Sequence, residues 1–157
     1  MKEKLLISAC LLGQRCRYDG GSKYYPAVDA LSEKYELVPV CPECFGGLPI
    51  PREPSERAGD RVLSRTGEDV TAAFLQGAEK ALEIARKNHA ALAVLKERSP
   101  SCGCGAIYDG TFTGTVVPGS GVAAELLLQN GIKVYGESRI RELLDRRVDQ
   151  MDLQDRS

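Results

Sequence analysis

Four short, mostly apolar runs punctuate the chain: Leu5-Leu6-Ile7-Ser8-Ala9, Glu36-Leu37-Val38-Pro39-Val40, Ala91-Leu92-Ala93-Val94-Leu95 and Lys133-Val134-Tyr135. Apolar residues at consecutive rather than alternate positions suit strands covered on both faces, as parallel sheets are. Pro39 marks the end of the second run or an irregularity within it. Elsewhere the apolar positions recur at helical spacing. Val70, Phe74, Ala78, Ala81 and Ala85 follow one another at intervals of four, four, three and four, one stripe from about Asp69 to Lys87 with Asp69 as a candidate N-cap. Shorter helices are predicted over residues 26–34, over 121–129 with Ser120 in front and Gly131 behind, and from Arg139 to about Arg147. Strands alternating with helices predict an α/β fold, a small doubly wound, Rossmann-like, mostly parallel sheet flanked by helices with right-handed crossovers. Residues 1–148 are expected to form a single domain and 149–157 a frayed tail.

Two segments interrupt that alternation. Gly46 to Gly67 carries Pro49, Pro51, Pro54 and four glycines, longer than a plain connection and typical of a functional loop. "IYDGTFTGTVV", residues 107–117, alternates in polarity, and its Asp109-Gly110 is a hairpin turn signal, so a β-hairpin is expected beside the sheet.

Charge narrows the function. With 21 basic and 22 acidic side chains among 157 residues, the chain has no global footprint for nucleic acid or an anionic membrane. A small or neutral ligand fits better. No apolar run approaches the roughly 20 residues of a membrane span, and the apolar stretch after Lys4 is short for a signal peptide, so a cytoplasmic location is expected.

The six cysteines, Cys10, Cys16, Cys41, Cys44, Cys102 and Cys104, then carry the chemistry. In a reducing compartment such a set points to metal or catalysis before disulfides. Cys10 follows the first strand, Cys41 the second, and Cys102 the third after a short turn. Parallel strands would bring these three thiols to the carboxyl edge of the sheet, where open α/β sheets bind ligands. Three thiolates in one crevice repel one another unless a cation or cluster holds them. "CPEC" at 41–44 admits a closed zinc site of Cys41, Cys44, Cys102 and Cys104. Three separated cysteines equally admit an iron-sulfur cluster with one iron open as a Lewis acid. Spacing alone does not choose between them.

Four segments do carry a resemblance: "SACLLGQRCRYDGG" (8–21), "VCPECFGGLPIPR" (40–52), "GEDVTAAFLQGAEKAL" (67–82) and "LKERSPSCGCGAIYDGTFTG" (95–114). In this order they resemble the signature segments of the bacterial thiouracil desulfidase family, formerly a domain of unknown function, over about Lys4 to Glu142. The resemblance implies a 4Fe-4S cluster held by three cysteines that map onto Cys10, Cys41 and Cys102. It also implies non-redox desulfuration of a thiolated pyrimidine or similar thioamide to the oxo form, with hydrosulfide released; cluster-dependent sulfur transfer is the neighbouring alternative. The family's glutamate and serine map onto Glu43 of "CPE" and Ser99 of "SPSCG", with Ser101 a close second. Lys96 and Arg98, beside the third ligand, are candidate anion contacts, and Tyr18 and Asp19 are candidate substrate contacts. Cys16, Cys44 and Cys104 depart from the expected pattern, and Cys44 or Cys104 on the fourth iron would close the cluster.

Several of these residues also have an ordinary structural explanation. Glu43 reads as a solvated loop carboxylate, and Ser99 and Ser101 as turn caps around Pro100. "YDGG" reads as a plain turn. Arg52, Arg57 and Arg61 read as a solvated loop, and His89 as the close of the long helix.

Overall fold

The computed structural model describes residues 2–21 and 23–146. Its sheet is built from β1 (Glu3–Ser8), β2 (Tyr35–Val40), β5 (Leu92–Leu95) and β8 (Lys133–Gly136), in the order β2-β1-β5-β8 and parallel throughout. The helices are α1 (Val28–Lys34), α2 (Pro42–Phe45), α3 (Thr71–Lys87), α4 (Val122–Gln129) and α5 (Ile140–Leu144). Two hairpins stand outside the sheet, β3 (Ser55–Ala58) with β4 (Arg61–Ser64) and β6 (Ala106–Tyr108) with β7 (Val116–Pro118). Among the described residues no helix is long and apolar enough to cross a membrane.

Alternation along each strand explains the two layers. Leu5 and Ile7 of β1 and Leu92 and Val94 of β5 face Val28 and Leu31 of α1 and Ile140 and Leu143 of α5. Leu6, Ala93, Leu95 and Val134 face the other way, onto Leu82 and Ala85 of α3 and Ala124 and Leu127 of α4. Both faces are apolar because both are covered. Strand β2 pairs only with β1, so Pro39 lies on an edge strand and its missing N–H interrupts nothing. The strand runs on to Val40, one residue short of Cys41.

The elements depart from the sequence expectation in several places. The segment from Gly46 to Gly67 is not loop throughout, because Gly59, at φ 63°, turns β3 back onto β4. The second hairpin does not turn at Asp109-Gly110. Its ladder ends at Tyr108 opposite Val116, and a wider loop is closed by the Asp109 N–H donating to Thr115 O at 3.0 Å. Val70, not Asp69, occupies the N-cap of α3, while Asp69 Oδ1 accepts the Thr71 N–H at 2.9 Å. Gly121, not Ser120, caps α4, and a 3-10 turn over Glu137–Arg139 precedes α5. Arg147 and the tail at 149–157 lie outside the described residues.

Close backbone approach fixes α2 against α3. A Cβ on Gly77 would collide with Pro42 O, and one on Gly46 with Ala73 O. Substituting Gly77 by alanine therefore forces the two helices apart and should lower the unfolding free energy by about 1–3 kcal/mol, read from urea denaturation. Since α2 carries Glu43 and is flanked by Cys41, the same change should disturb the site described next.

Candidate active site

Three strand ends open onto one cavity. After β1, the 3-10 turn Ala9–Leu12 carries Cys10 and is stopped by Gly13 at φ 94°. After β2, Cys41 is extended and Pro42 starts α2, its fixed φ suited to a first helical position. After β5, the Lys96 N–H donates to Ser8 Oγ at 2.9 Å, tying the exit of β5 to the end of β1. The chain then folds under α4, whose Ala123 and Ala124 N–H groups donate to Ser101 O at 2.8 and 3.0 Å. Gly121 permits this junction, since a Cβ there would stand 2.8 Å from Cys102 N. Ser101 is 1% exposed and Cys102 5%. Cys10, Cys41 and Cys102 all line the cavity, whose volume of about 530 Å³ falls in the range of small-molecule sites.

Glu43 and the two serines meet on one wall. The Ser101 hydroxyl donates to Glu43 Oε2 at 3.2 Å and lies 3.0 Å from Ser99 Oγ. Ser99 Oγ is already occupied by the N–H groups of Ser101 and Cys102, each at 3.1 Å. Ser99 therefore caps the turn, and Ser101 is the serine in contact with the carboxylate. The other carboxylate oxygen, Glu43 Oε1, accepts from Arg52 Nε at 3.2 Å.

Three of the thiols, Cys16, Cys41 and Cys102, are held neutral by their surroundings. Burial pushes Cys102 up to about 12, with hydrogen bonds from Ser8 and Ser101 working in the opposite direction. A hydrogen bond to Cys16, followed by burial, holds the Cys41 thiol far above its ordinary range. Cys16 is raised to about 11, first by its bond to Cys10 and then by burial, against an opposing bond to Cys41. Such sulfurs become thiolates only beside a strong positive centre, and three soft donors at one rim suit an iron-sulfur cluster. Among the described residues no three His, Cys, Asp or Glu side chains stand close enough to enclose a single metal ion. A four-iron cube spreads its ligands over separate irons, so its sulfurs stand further apart than those of a one-ion site. Cys44 and Cys104 are not part of the cavity wall. Cys44 Sγ donates to Cys16 O at 3.8 Å, and Cys104 Sγ donates to Val134 O at 3.6 Å in the opposite apolar layer. The closed zinc set of Cys41, Cys44, Cys102 and Cys104 thus has no ready-made site.

The remaining candidates divide. Lys96, Arg98 and Tyr18 line the cavity. Lys96 Nζ is engaged by Glu137 at 3.0 Å and by Glu97 O at 3.1 Å. Arg98, at φ 65°, has no ion pair among the described residues, and Arg17 lies 5.5 Å over the Tyr18 ring. Asp19 is outside the wall, its carboxylate taken by Gly21 N at 2.9 Å and Arg17 at 3.4 Å. It is a turn residue, as "YDGG" also allowed.

The sequence profile of the family described as 2-thiouracil desulfurase matches residues 5–139, which include all of the strand ends above. The chain belongs to that family. Among solved structures it is similar to a 4Fe-4S-dependent thiouracil desulfidase, TudS, with 48% identity and a TM-score of 0.86 over 90% of this chain and 95% of that one. It is also 40% identical over 150 residues to YbbK of Bacillus subtilis (strain 168), a protein described only as uncharacterized, covering 89% of this chain and 99% of that protein. Against this desulfurase frame, sequence reasoning passed over two residues. Ser8, buried at the end of β1, bonds to both Lys96 N and Cys102. Arg52 was assigned to a solvated loop, yet its side chain is 7% exposed. No spacing signal marked Ser8; Arg52 lay in a quoted segment, "VCPECFGGLPIPR", and its nearness to Glu43 was the available clue.

Proposed function

We propose that this chain hydrolyses the C–S bond of a thiolated pyrimidine of the thiouracil class, giving the oxo base and hydrosulfide, in a site where Cys10, Cys41 and Cys102 hold a 4Fe-4S cluster. The observation that carries the reading is the Glu43–Ser101 contact on the wall of the cavity that these three cysteines line. When bound, the cluster supplies a soft Lewis acid at its open iron, which draws electron density from a thiocarbonyl sulfur.

The protein's own groups supply the rest. Ser101 Oγ and Glu43 Oε2, 3.2 Å apart, form a donor-acceptor pair able to hold one water against the ring carbon. Glu43 takes one proton as that water attacks and returns it to the ring nitrogen, which is unprotonated in the thiolate form of the base, while the second proton of the water leaves on sulfur as hydrosulfide, so the reaction needs no external electron. Arg98, with no ion pair among the described residues, offers its cation to the charge that develops on the departing sulfur. Ser8 and Ser101 orient Cys102 through their hydrogen bonds. Lys96, already paired, holds Glu137 and the exit of β5. Thiolate ligation and an open iron both call for a reducing compartment, which favours the cytoplasm.

Two outcomes test the assignment. Anaerobically reconstituted protein should convert 2-thiouracil to uracil with one hydrosulfide released per uracil, and the iron-free chain should be inert. Equal activity without iron would refute it. Within the site, Ser101→Ala should lower kcat by about 10²-fold, as loss of one transition-state donor does, whereas Ser99→Ala should act chiefly through the turn and lower the thermal midpoint. Uracil formation and a melting curve separate the two.

A further inference from the structure

The loop between α2 and β3 sends one arginine inward. Arg52 N–H donates to Tyr18 O at 2.6 Å, which pins the backbone beside the cavity. Its guanidinium then uses each of its nitrogens: Nε donates to Glu43 Oε1 at 3.2 Å, Nη1 to Pro49 O at 3.1 Å and Nη2 to Cys16 O at 3.0 Å. The side chain is 7% exposed and that of Glu43 18%. A planar donor set fixed at three points leaves its partner little rotational freedom, which a flexible ammonium does not achieve. The guanidinium holds Glu43 Oε1 to its own side, so the oxygen that faces Ser101 is Oε2.

We infer that Arg52 is the positioning residue of the reaction: by tethering Glu43 Oε1 to a guanidinium that is itself anchored on the Cys16 and Pro49 carbonyls, it aims Oε2 at the water held with Ser101. The inference rests on the reading of Glu43 as the proton-transfer group. Without the fork the carboxylate rotates, and both of its oxygens compete for the Ser101 hydroxyl. Cys16 gains a role at the same time, since its carbonyl also accepts from Cys41 Sγ at 3.8 Å and so links the arginine to a proposed cluster ligand.

Arg52→Ala tests this in the anaerobically reconstituted protein. Misaiming the base should lower kcat by about a hundredfold with KM and iron content unchanged. Guanidinium chloride, far below unfolding concentrations, should restore part of the lost kcat, because the vacated space keeps its three acceptors. In the Glu43→Gln background the same substitution should cost nothing further, and added guanidinium should restore nothing. Arg52→Lys, which keeps the charge without the fork, should fold even if Arg52→Ala does not and should still lose most of kcat. A readout independent of catalysis is the urea midpoint of the iron-free chain, where Arg52→Ala and Glu43→Gln should be coupled and not additive. Wild-type kcat in Arg52→Lys, or a loss in Arg52→Ala that persists unchanged in the Glu43→Gln background, would overturn the inference. Full activity in Glu43→Gln alone would instead overturn the reading on which it rests.

Discussion

Changing Cys102 to serine should leave the chain unable to retain iron. Cys102 is sealed beneath the start of α4, its thiol raised to about 12 by burial, and it is tied by hydrogen bonds to Ser8 and Ser101. A sulfur so placed gains most from a cationic partner, and a serine hydroxyl, hard and protonated, cannot replace it as an iron ligand. Cys10→Ser and Cys41→Ser should behave alike, because each removes one of the three proposed cluster ligands. Iron and acid-labile sulfide after anaerobic reconstitution should fall from about four of each per chain to near zero. Cys44→Ser and Cys104→Ser should keep most of both, since these thiols donate to Cys16 O and Val134 O. Cys16→Ser should also keep the cluster. If any of these last three proves indispensable, the ligand set is wrong.

Glu43→Gln should separate the cluster from the chemistry. The amide has the size of the carboxylate, its oxygen can still accept from Ser101, and the change touches no thiol. Iron and sulfide content should stay at the wild-type level. What is lost is the proton acceptor, and general acid-base groups contribute about 10²–10⁴-fold to rate. Uracil formation from 2-thiouracil should fall by that factor, while bound substrate still perturbs the visible spectrum of the cluster. A variant with full activity would remove Glu43 from the reaction.

The sheet and its rim were legible because they rest on strong signals. Buried parallel strands must be apolar on both faces, so Leu5–Ile7 and Leu92–Leu95 stand out in the sequence, and a cysteine after each of three such strands converges by topology alone. What escaped has weak local patterning. Helix α2 is four residues long, too short for a helical period, and it is held by its approach to α3. The β3–β4 hairpin reads "SERAGDRVLS", mostly polar or small, with only Val62 and Ser64 buried. The sequence puts Ser99 only narrowly ahead of Ser101, because both flank Pro100; only the path of the turn sends the Ser101 hydroxyl to Glu43 and leaves that of Ser99 to backbone N–H groups. Arg52 was masked by composition, since a loop arginine is usually solvated, and its burial depends on a carboxylate and two carbonyls from other segments.

An anaerobic crystal structure of the reconstituted protein, with the iron located by its anomalous scattering, tests the account most directly. It should show a four-iron cube in the cavity bonded to Sγ of Cys10, Cys41 and Cys102, the fourth iron facing Glu43 and Ser101 without a protein sulfur. A cube whose fourth iron is bonded to Cys16 or Cys44, or iron bound outside this cavity, would contradict it.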